Sequence, residues 1–401
     1  MRIIRYGALL LSVMMFAGCT AATVNKEGIN VTKMSFTQKS LPDLPSFQFA
    51  AGLKVGWNLG NTFDANNVTR AKDDLAYESA WVGVRTDPKV FAALKEAGFG
   101  AVRIPVSWHN HVSGEDYIIT PAWLKRVKEV VDDALGQGLF VILNTHHDIA
   151  REFIYPDDEH LESSKRYLGA VWRQLANQFR DYDSRLIMES MNEPRLAGTD
   201  IEWNLNPNDP RSEESVRCIN ALNQLFVDTV RRSGGMNESR YLLLPGYAAS
   251  VQGVLHKAFA MPSDITGTEN RLLLSVHAYT PYAFALQSAA ESGSRDTFSA
   301  GNAFDINEIA SFMDSLYEKS ISLRVPVVIG EFGARDKGGN LQARVDFTAA
   351  YTALARARGF TCFWWDNHAF TGSGELFGLL DRKTFTFVNP QIMEALISNA
   401  E

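Results

Sequence analysis

From residue 50 onward the chain alternates short apolar runs with amphipathic segments, and this alternation limits its possible folds more than any other feature. The short runs have the length of buried strands, and the segments between them carry apolar residues at helical spacing. Such an alternation is typical of parallel βα units, in which helices cover the sheet. The predicted strands are Val55–Leu59, Ala101–Pro105, Phe140–Asn144, Leu186–Ser190, Tyr241–Leu244, Leu272–Val276, Val327–Ile329 and Thr361–Trp364.

Predicted helices lie between these strands. Asp87 and Thr120 precede helical segments as N-caps, and Gly98 follows the first of them as a stop signal. The helices are Pro88–Ala97, Pro121–Gln137, Lys165–Phe179, Glu213–Arg232, a poorly marked one within Gln252–Phe259, Ile306–Ser320, Leu341–Arg358 and Pro390–Ser398. About eight βα units in succession predict a (β/α)8 barrel, the TIM-barrel fold. A doubly wound open sheet is the alternative, but the first strand lacks the glycine-rich phosphate loop of such sheets.

Length and composition are consistent with one large catalytic domain. The 401 residues are 46% hydrophobic and 21% charged, as in ordinary globular proteins. No linker or internal repeat is visible after residue 46, so residues 46–401 are assigned to one domain, expected to be a monomer. A net charge of −7 argues against nucleic acid as a partner. Cys218 and Cys362 form no CxxC motif and are expected to be buried thiols, with one disulfide as the alternative.

The first residues have the pattern of a bacterial export signal. Arg2 and Arg5 precede an apolar run, Ala8–Ala17, that is too short to span a bilayer as a mature helix. The run leads into Gly18-Cys19 and resembles a lipoprotein signal, so residues 1–18 are predicted to be removed and Cys19 to be lipidated. Thr20 favours anchoring in the outer membrane. Because the residue at position 16 is Phe rather than the usual Leu, cleavage as an ordinary periplasmic or secreted protein is the alternative.

Residues 19–45 are predicted to form a tether between the lipid and the catalytic domain. They contain few large apolar side chains, show no periodicity, and end in a segment with Pro42 and Pro45. A segment of this composition cannot bury a core of its own.

Polar side chains collect where the predicted strands end, which is where barrel enzymes build their active sites. The apolar run Leu186–Met188 leads into Asn192, Glu193 and Pro194, and the proline requires the strand to end there. The β-branched run after Val325 ends in the same way, at Glu331. The other polar or aromatic residues at strand ends are Asn58, Asn61, Arg103, His146, His147, His277, Tyr279 and Trp364. We predict that all of them line one cleft beneath the long loops that follow the strands.

Glu193 and Glu331 are the predicted catalytic pair. One glutamate at a strand end is most often a structural ion pair, but two that share a cleft can be driven to different pKa values. Glycoside hydrolysis requires such a pair, with one carboxyl protonated and the other ionised. Arg103 beside Glu331 would keep that group ionised, or would form a salt bridge at the rim. The amide of Asn192 suits a substrate hydroxyl, or caps the strand end.

The histidine pairs do not predict a metal centre. His109 and His111, and then His146 and His147, lie close together in the chain. Neighbours on a strand point to opposite faces, so His146 and His147 are not expected to bind one ion. His146 and His277 are interpreted as hydrogen-bond partners within the cleft. We therefore expect neither a metal nor another cofactor.

Aromatic side chains near the strand ends suit a carbohydrate, because sugar rings stack their C–H faces on aromatic rings. Trp364 is predicted to form the floor of a sugar subsite. Trp81, Trp108 and Trp203 extend the cleft in one interpretation and are ordinary packing in the other.

Several stretches together resemble glycoside hydrolase family 5, the cellulase family of clan A, and within it subfamily 4. They are GWNLGNTFD (56–64), ESAW (78–81), GFGAVRIPVSW (98–108), VILNTHHD (141–148), MNEPR (191–195), HAYTPYAF (277–284), IGEFG (329–333) and FWWDN (363–367). The resemblance covers the chain from about residue 50 to its end. One departure is His368, where many relatives have glycine.

The resemblance implies a retaining endo-β-1,4-glucanase that needs no metal. Glu193 matches the family's acid/base and Glu331 its nucleophile. The matches to the remaining site residues are Arg103, His146, Asn192, His277, Tyr279 and Trp364. Subfamily members act on cellulose, mixed-linkage β-glucan, xyloglucan and sometimes xylan, and cell-surface lipoproteins of this type often attack xyloglucan. Xyloglucan is therefore the expected substrate, with a cellulase, a mixed-linkage β-glucanase, a β-mannanase or a non-catalytic glycan-binding lipoprotein as alternatives.

Overall fold

The computed structural model describes residues 23–24, 28–264 and 270–401. In this part of the chain eight parallel strands form a closed barrel, in which each strand pairs with the next in the chain and the last pairs with the first. The predicted (β/α)8 barrel is therefore confirmed. The strands are Val55–Leu59, Ala101–Ile104, Phe140–Asn144, Leu186–Glu189, Leu242–Pro245, Leu272–His277, Val327–Phe332 and Thr361–Asp366, called barrel strands one to eight.

Helices surround the barrel. Those that follow strands one to eight are Lys89–Ala97, Pro121–Gly136, Leu161–Gln178, Pro210–Arg232, Val251–Leu255, Ala303–Leu323, Leu341–Arg356 and Pro390–Ala400. The poorly marked fifth helix begins at Ser250, whose hydroxyl accepts the Gly253 N–H at 3.0 Å. The N-cap residue of the helix Lys89–Ala97 is Pro88, one residue after the predicted Asp87, although Asp87 Oδ1 accepts the Lys89 N–H. Thr120 is the N-cap residue of its helix, as predicted, although its hydroxyl makes no capping hydrogen bond and donates to the His111 carbonyl.

Shorter elements lie outside these units. They are the helices Pro45–Gly52 and Tyr282–Ala285, the 3-10 turns Asp74–Ser79, His109–His111, Gly235–Glu238 and Tyr247–Ala249, and three small antiparallel pairs. The pairs join Thr23–Val24 to Asn30–Val31, Val112–Ser113 to Ile118–Ile119, and Leu380–Asp381 to Thr386–Phe387.

The interior of the barrel is filled in layers, because alternate residues of each strand point inward. The lower layer is apolar and contains Leu53, Ala101, Ile142, Ile187, Leu243, Leu273, Val328 and Phe363. Gly56 leaves room for the Phe363 ring, since a Cβ at Gly56 would lie 2.1 Å from Phe363 Cδ1. Two residues further along the same strands, the inward positions hold Asn58, Arg103, Asn144, Glu189, Ser275 and Trp365. The barrel therefore has an apolar lower layer and a largely polar layer directly beneath its mouth.

Residues 28–44, the N-terminal arm, lie against the outside of the barrel. The backbone of Asn30 exchanges two hydrogen bonds with the side chain of Gln342, at 2.8 and 2.9 Å. Met34 N–H donates to Asn399 Oδ1 at 2.7 Å, and Lys39 N–H donates to the Ala357 carbonyl at 2.7 Å. This part of the predicted tether therefore belongs to the folded body.

The helix Pro45–Gly52 then closes the lower end of the barrel. Its Phe49 ring stacks on Tyr241, with ring centroids 3.5 Å apart, and meets Phe140 edge-on. The described cysteines, Cys218 and Cys362, are buried free thiols, as expected. Among the described residues, none of the helices combines the length and the apolar character needed to cross a membrane. The predicted signal peptide and Cys19 lie outside the described residues.

Candidate active site

Arg103 is the centre of the polar layer beneath the barrel mouth. It is fully buried on strand two, and its guanidinium donates to Glu331 Oε1 at 2.8 Å and to Glu189 Oε2 at 2.7 Å. It also donates to Asn58 Oδ1 at 3.0 Å and to Asn192 Oδ1 at 2.7 Å. Burial lowers the pKa of Arg103, but the two carboxylates raise it further, so the net shift is upward. Arg103 therefore stays charged and fixes four neighbours at once.

Glu189 is a part of this network that the sequence analysis missed. It is fully buried and accepts hydrogen bonds from Ser275 Oγ at 2.6 Å and Asn144 Nδ2 at 3.1 Å, in addition to Arg103. Its signal was present in the sequence, because Glu189 lies two residues after the inward-facing Ile187. A charged residue at an inward position of a barrel strand needs a buried partner.

The two predicted catalytic glutamates face each other across the mouth. Tyr279 OH donates to Glu331 Oε2 at 2.9 Å, so Glu331 is held by Tyr279 and Arg103 together. His277 Nδ1 lies 2.9 Å from Glu193 Oε1 and 3.7 Å from Glu331 Oε1. A carboxylate oxygen from each glutamate and a ring nitrogen of His277 all lie within 4.8 Å of one another.

The pKa shifts of this pair run opposite to the order expected from the sequence, in which Glu193 holds a proton at rest. Burial raises the pKa of Glu331, and His277 and Arg103 oppose that effect only in part. Glu193 is partly exposed, with 17% of its side chain accessible, and desolvation raises its pKa, but its hydrogen bond to His277 outweighs this effect and the net shift is downward. The pKa of His277 is raised by both carboxylates in spite of its burial. The physical reason is the short contact between His277 Nδ1 and Glu193 Oε1, which favours a charged ring beside an ionised carboxylate.

His146 and His147 lie beside the catalytic pair, at the edge of the mouth. Asn144 Oδ1 accepts the Val106 N–H, which identifies the other side-chain atom, Nδ2, as a donor. This Nδ2 lies 3.2 Å from His146 Nδ1, so His146 Nδ1 accepts a hydrogen bond from it. His146 therefore carries its proton on Nε2. Burial lowers the pKa of both rings, that of His147 to about 4, which keeps them neutral.

The strand argument against a shared metal does not apply to this histidine pair. Barrel strand three ends at Asn144, so the backbone has left the strand, and the His146 and His147 ring centroids are 4.5 Å apart. Ligand atoms of both rings and of Asp64 lie within 4.8 Å of one another. The tautomer of His146 argues against a metal instead. Its Nδ1 accepts a hydrogen bond and its Nε2 carries the proton, so neither ring nitrogen offers a free lone pair to an ion.

His109 and His111 have structural roles. The His111 ring stacks on Trp123 at a centroid distance of 3.8 Å, and burial lowers the pKa of His111 to about 4. Asp148 Oδ1 accepts the backbone N–H groups of Trp108 and His109, at 2.9 and 2.8 Å, and the Tyr167 hydroxyl. These contacts fix the loop after strand two.

The tryptophan of strand eight that faces the mouth is Trp365, one residue after the predicted Trp364. Trp364 is 0% exposed, points out of the barrel, and donates from Nε1 to the Phe377 carbonyl at 3.0 Å. Trp365 is the inward residue of strand eight, is 8% exposed, and lies parallel to the His146 ring at a centroid distance of 5.8 Å. Since Phe363 faces the interior, alternation places Trp365, rather than Trp364, at the mouth.

The other tryptophans divide between the cleft rim and the core. Trp81 is 45% exposed and its ring lies 6.1 Å from that of His147, while Trp203 is 54% exposed and covers the Arg195 guanidinium at 3.9 Å. Both extend the cleft. Trp108 is buried and donates to the Asn144 carbonyl at 2.9 Å, so its role is packing.

The predicted site residues occupy one mouth, with Trp364 as the exception. Arg103, Asn192, His277 and Tyr279 contact the two glutamates or their shared network. Asn61 lies at the rim in the left-handed region, φ 58°, and its N–H donates to Asp64 Oδ2 at 3.0 Å. His368, with φ 57°, also occupies a conformation that glycine adopts freely, which fits the glycine of many relatives.

A closed parallel barrel with two facing carboxyls at its mouth, rimmed by exposed tryptophans, defines a glycosidase-type hydrolase. Comparison with known proteins gives the family. The family model for cellulase, glycosyl hydrolase family 5, matches residues 60–371. The chain belongs to glycoside hydrolase family 5.

Similar proteins share almost the whole length of the chain. Endoglucanase A of Ruminococcus albus is 37% identical over 90% of this chain and 94% of its own length. A family 5 lichenase from Caldicellulosiruptor sp. F32 has a similar structure, with a TM-score of 0.91 and 49% identity over 92% of this chain and 99% of that one. A subfamily 4 broad-specificity endoglucanase from Ruminococcus champanellensis has a TM-score of 0.80 and 37% identity, and the match covers 90% of this chain and 100% of that one. A xyloglucan-specific family 5 endo-β-1,4-glucanase from a metagenomic library has a TM-score of 0.79 and 34% identity, and the match covers 88% of this chain and 98% of that one.

Proposed function

We propose that this protein is a retaining endo-β-1,4-glucanase acting on plant cell-wall β-glucan, with Glu331 as nucleophile and Glu193 as acid/base. One observation carries the proposal, namely that oxygens of the two carboxylates lie within 4.8 Å of each other. Retaining glycosidases hold their carboxyl groups about 5–5.5 Å apart, whereas inverting ones need about 6.5–9.5 Å to admit a water molecule. The endoglucanases and the lichenase among the similar proteins support β-glucan as the substrate class.

In the first step the Glu331 carboxylate attacks the anomeric carbon while the bond to the leaving oxygen breaks. The hydrogen bonds from Arg103 and Tyr279 hold both Glu331 oxygens and orient the attacking lone pair. The step forms a glycosyl ester on Glu331 and releases the leaving sugar as an alcohol. The leaving oxygen must therefore receive a proton.

That proton comes from the Glu193–His277 hydrogen bond. Whichever of the two atoms carries it at rest, the 2.9 Å contact places it one transfer away from Glu193 Oε, which faces the cleft. In the second step Glu193 accepts a proton from water, which attacks the anomeric carbon and frees Glu331. Two inversions at one carbon give overall retention.

We assign xyloglucan as the preferred polysaccharide. Long loops follow several barrel strands and can build an open cleft for a branched chain, and one similar structure is xyloglucan-specific. Mixed-linkage β-glucan is the second candidate, because the lichenase shares the higher identity of 49%. A β-mannanase or a non-catalytic glycan-binding protein is disfavoured, the latter because binding alone does not need two carboxylates at this spacing.

Two measurements test this function. Proton NMR during early hydrolysis of a cello-oligosaccharide should show the β-anomer first, whereas an initial α-anomer would overturn the retaining mechanism. Initial rates on xyloglucan, barley β-glucan, carboxymethylcellulose, xylan and glucomannan should give the highest kcat/KM on xyloglucan. A higher value on barley β-glucan would transfer the assignment to mixed-linkage β-glucan, and activity on glucomannan alone would replace the glucanase with a mannanase.

The site of action that we propose is the outer membrane, with the enzyme attached through a lipid on Cys19. The proposal rests on the sequence pattern at residues 2–20, in which a basic start and a short apolar run precede a cysteine. The polysaccharide is too large to cross a membrane, so a glucanase of this kind has to act where its substrate is. Export without lipidation, to the periplasm or the medium, is the alternative.

A further inference from the structure

A cavity of about 370 Å³ lies beside the catalytic pair, between the loops that follow barrel strands one to four. Its lining includes Asn67, His147, Ala150, Glu152, Phe153 and Arg195. This volume is at the lower end of the range for small-molecule sites, about 300–1,000 Å³. The proposed mechanism uses none of this space.

Arg195 connects the cavity to the acid/base. Its Nη1 donates to the Glu193 carbonyl at 3.0 Å and lies 3.9 Å from Glu193 Oε2. Its Nε donates to Glu202 Oε1 at 3.0 Å, and the Trp203 ring covers the guanidinium. Arg195 is therefore fixed on several sides, and a molecule in the cavity touches a residue that also touches Glu193.

The walls of the cavity suit a neutral sugar. Glu152 offers acceptors, Arg195 offers donors, and the Asn67 amide offers both, as the mixed hydroxyl groups of a sugar require. Ile149, Ala150 and the Phe153 ring form an apolar part against which a sugar C–H face can pack. The lining also contains His109 and His147, and burial keeps the His147 ring neutral. The opposite charges of Glu152 and Arg195 therefore suit an uncharged ligand.

One wall of the cavity, at Asn66 and Asn67, is fixed by hydrogen bonds within its own loop and to the loop after strand two. Asn67 N–H donates to Asn110 Oδ1 at 2.7 Å, Asn110 Nδ2 donates to Asn67 Oδ1 at 3.3 Å, and Asn67 Nδ2 donates to Asn66 Oδ1 at 3.0 Å. A main chain cleaved internally must enter and leave its cleft, so a space closed on one side suits a pendant unit.

We infer that this cavity is a subsite for a branch sugar, a neutral pentosyl or hexosyl unit attached to a main-chain glucosyl residue near the point of cleavage. Arg195 is its specificity determinant, because it contacts both the branch and the acid/base. The inference rests on the proposed glucanase function and names the structural feature by which that function would distinguish branched from linear glucan.

Binding to a catalytically inactive enzyme tests this inference without depending on turnover. In the Glu331→Ala background, calorimetry would compare a xylosylated cello-oligosaccharide with cellotetraose. Ala150→Phe fills the cavity, and Ala290→Phe adds the same bulk at an exposed position of the loop after strand six. We expect the branched ligand to bind about tenfold more tightly than cellotetraose in the background and in the Ala290→Phe control, as two or three hydrogen bonds would give.

In the Ala150→Phe protein that ratio should fall to about one. Glu152→Ala, which deletes an exposed side chain and does not threaten the fold, should lower the ratio about threefold, as the loss of one hydrogen bond would. If Ala150→Phe and Glu152→Ala leave the ratio of the two affinities unchanged, the inference is overturned. It is also overturned if the affinities for the branched ligand and for cellotetraose fall equally, because the cavity would then be a main-chain subsite. Failure of the wild-type enzyme to hydrolyse any β-glucan would instead refute the proposed function, since the binding ratio does not depend on turnover.

Discussion

Arg103 and Glu189, two charged residues at inward positions of the barrel, organise the site. Arg103 bridges Glu189 and Glu331 while fully buried, and Glu189 is further held by Ser275 and Asn144. A buried charge of this kind is stable only when its partners are fixed, and removing one partner leaves the other uncompensated. The network therefore positions Glu331 rigidly, which a nucleophile that must meet one carbon atom requires.

The two glutamates should respond differently to substitution. Glu331→Ala should lower kcat on every substrate by a factor on the order of 10⁴–10⁶, because no nucleophile remains. Glu193→Ala should lower kcat on polysaccharide by about 10²–10⁴, but much less on an aryl glycoside whose leaving group needs no proton. Added azide should rescue Glu193→Ala and give a β-glycosyl azide, detected by NMR. Recovery of Glu331→Ala in its place, with an α-azide as the product, would reverse the two roles.

Trp364 and Trp365 provide a test that separates packing from substrate contact. Trp365→Ala should lower kcat/KM on cellotetraose by about tenfold through loss of ring stacking, with a small effect on stability. Trp364→Ala should instead destabilise the fold by about 3–5 kcal/mol, because it empties a fully buried site. Urea unfolding and kinetics on the folded fraction would measure both. The assignment fails if Trp364→Ala is the variant that loses affinity while keeping its stability.

Asp64 should make the stability of the protein depend on pH. It is fully buried, and burial raises its pKa from 3.8 to about 7. Below pH 3.8 the carboxyl is protonated in both states, and as the pH rises toward 7 only the unfolded state releases the proton, so the folded state loses stability. The loss is about 4 kcal/mol over this window, at about 1.4 kcal/mol per pKa unit.

Asp64→Asn removes this titration. The melting temperature of the variant minus that of the wild type should therefore increase between pH 4 and pH 8. Thermal unfolding at four pH values would show the trend, with Asp116→Asn as a control at an exposed position. A difference that stays constant with pH would show that Asp64 is ionised throughout.

At the scale of elements, the N-terminal arm belongs to the barrel. It is bound through backbone hydrogen bonds to Gln342, Asn399 and Ala357, and Leu41 packs on Gly359. Deleting the chain up to residue 43 should therefore destabilise the protein by about 2–4 kcal/mol, the net value of several partly exposed hydrogen bonds. A protein that begins at Gly28 is the matched control and should unfold like the longer chain. Equal urea midpoints for the two truncated proteins would mean that the arm behaves as a free tether.

At the scale of the whole molecule, the docked arm shortens the connection to a membrane. If Cys19 carries the lipid, residues 19–27 are the part that precedes the arm, and nine residues reach at most about 30 Å when extended. The folded body then stays within about this distance of the bilayer surface. Cys19→Ser should move the protein from the membrane to the soluble fraction of a Gram-negative host, with unchanged turnover. Retention of the variant in the membrane fraction would exclude lipidation at Cys19 as the anchor.

The sequence by itself determined the barrel, and it predicts which two carboxyls form the candidate catalytic pair at its mouth. Alternating strands and helices are local patterns, written in apolar spacing, caps and prolines, so each is visible in a short window of the chain. Glu193 and Glu331 were recognisable because each follows a strand directly, and parallel strands of a barrel bring their ends to one mouth.

Only the tertiary structure decided which side chains face that mouth and how they share protons. Whether Trp364 or Trp365 lines the cleft depends on the inward phase of strand eight, which is fixed by contact between Phe363 and Gly56 on a different strand. The partnership of Arg103 with Glu189 joins strands two and four, and the proton between Glu193 and His277 joins strand four to strand six. These contacts span 84 or more residues of chain, so no local pattern encodes them and only the closed barrel brings the groups together.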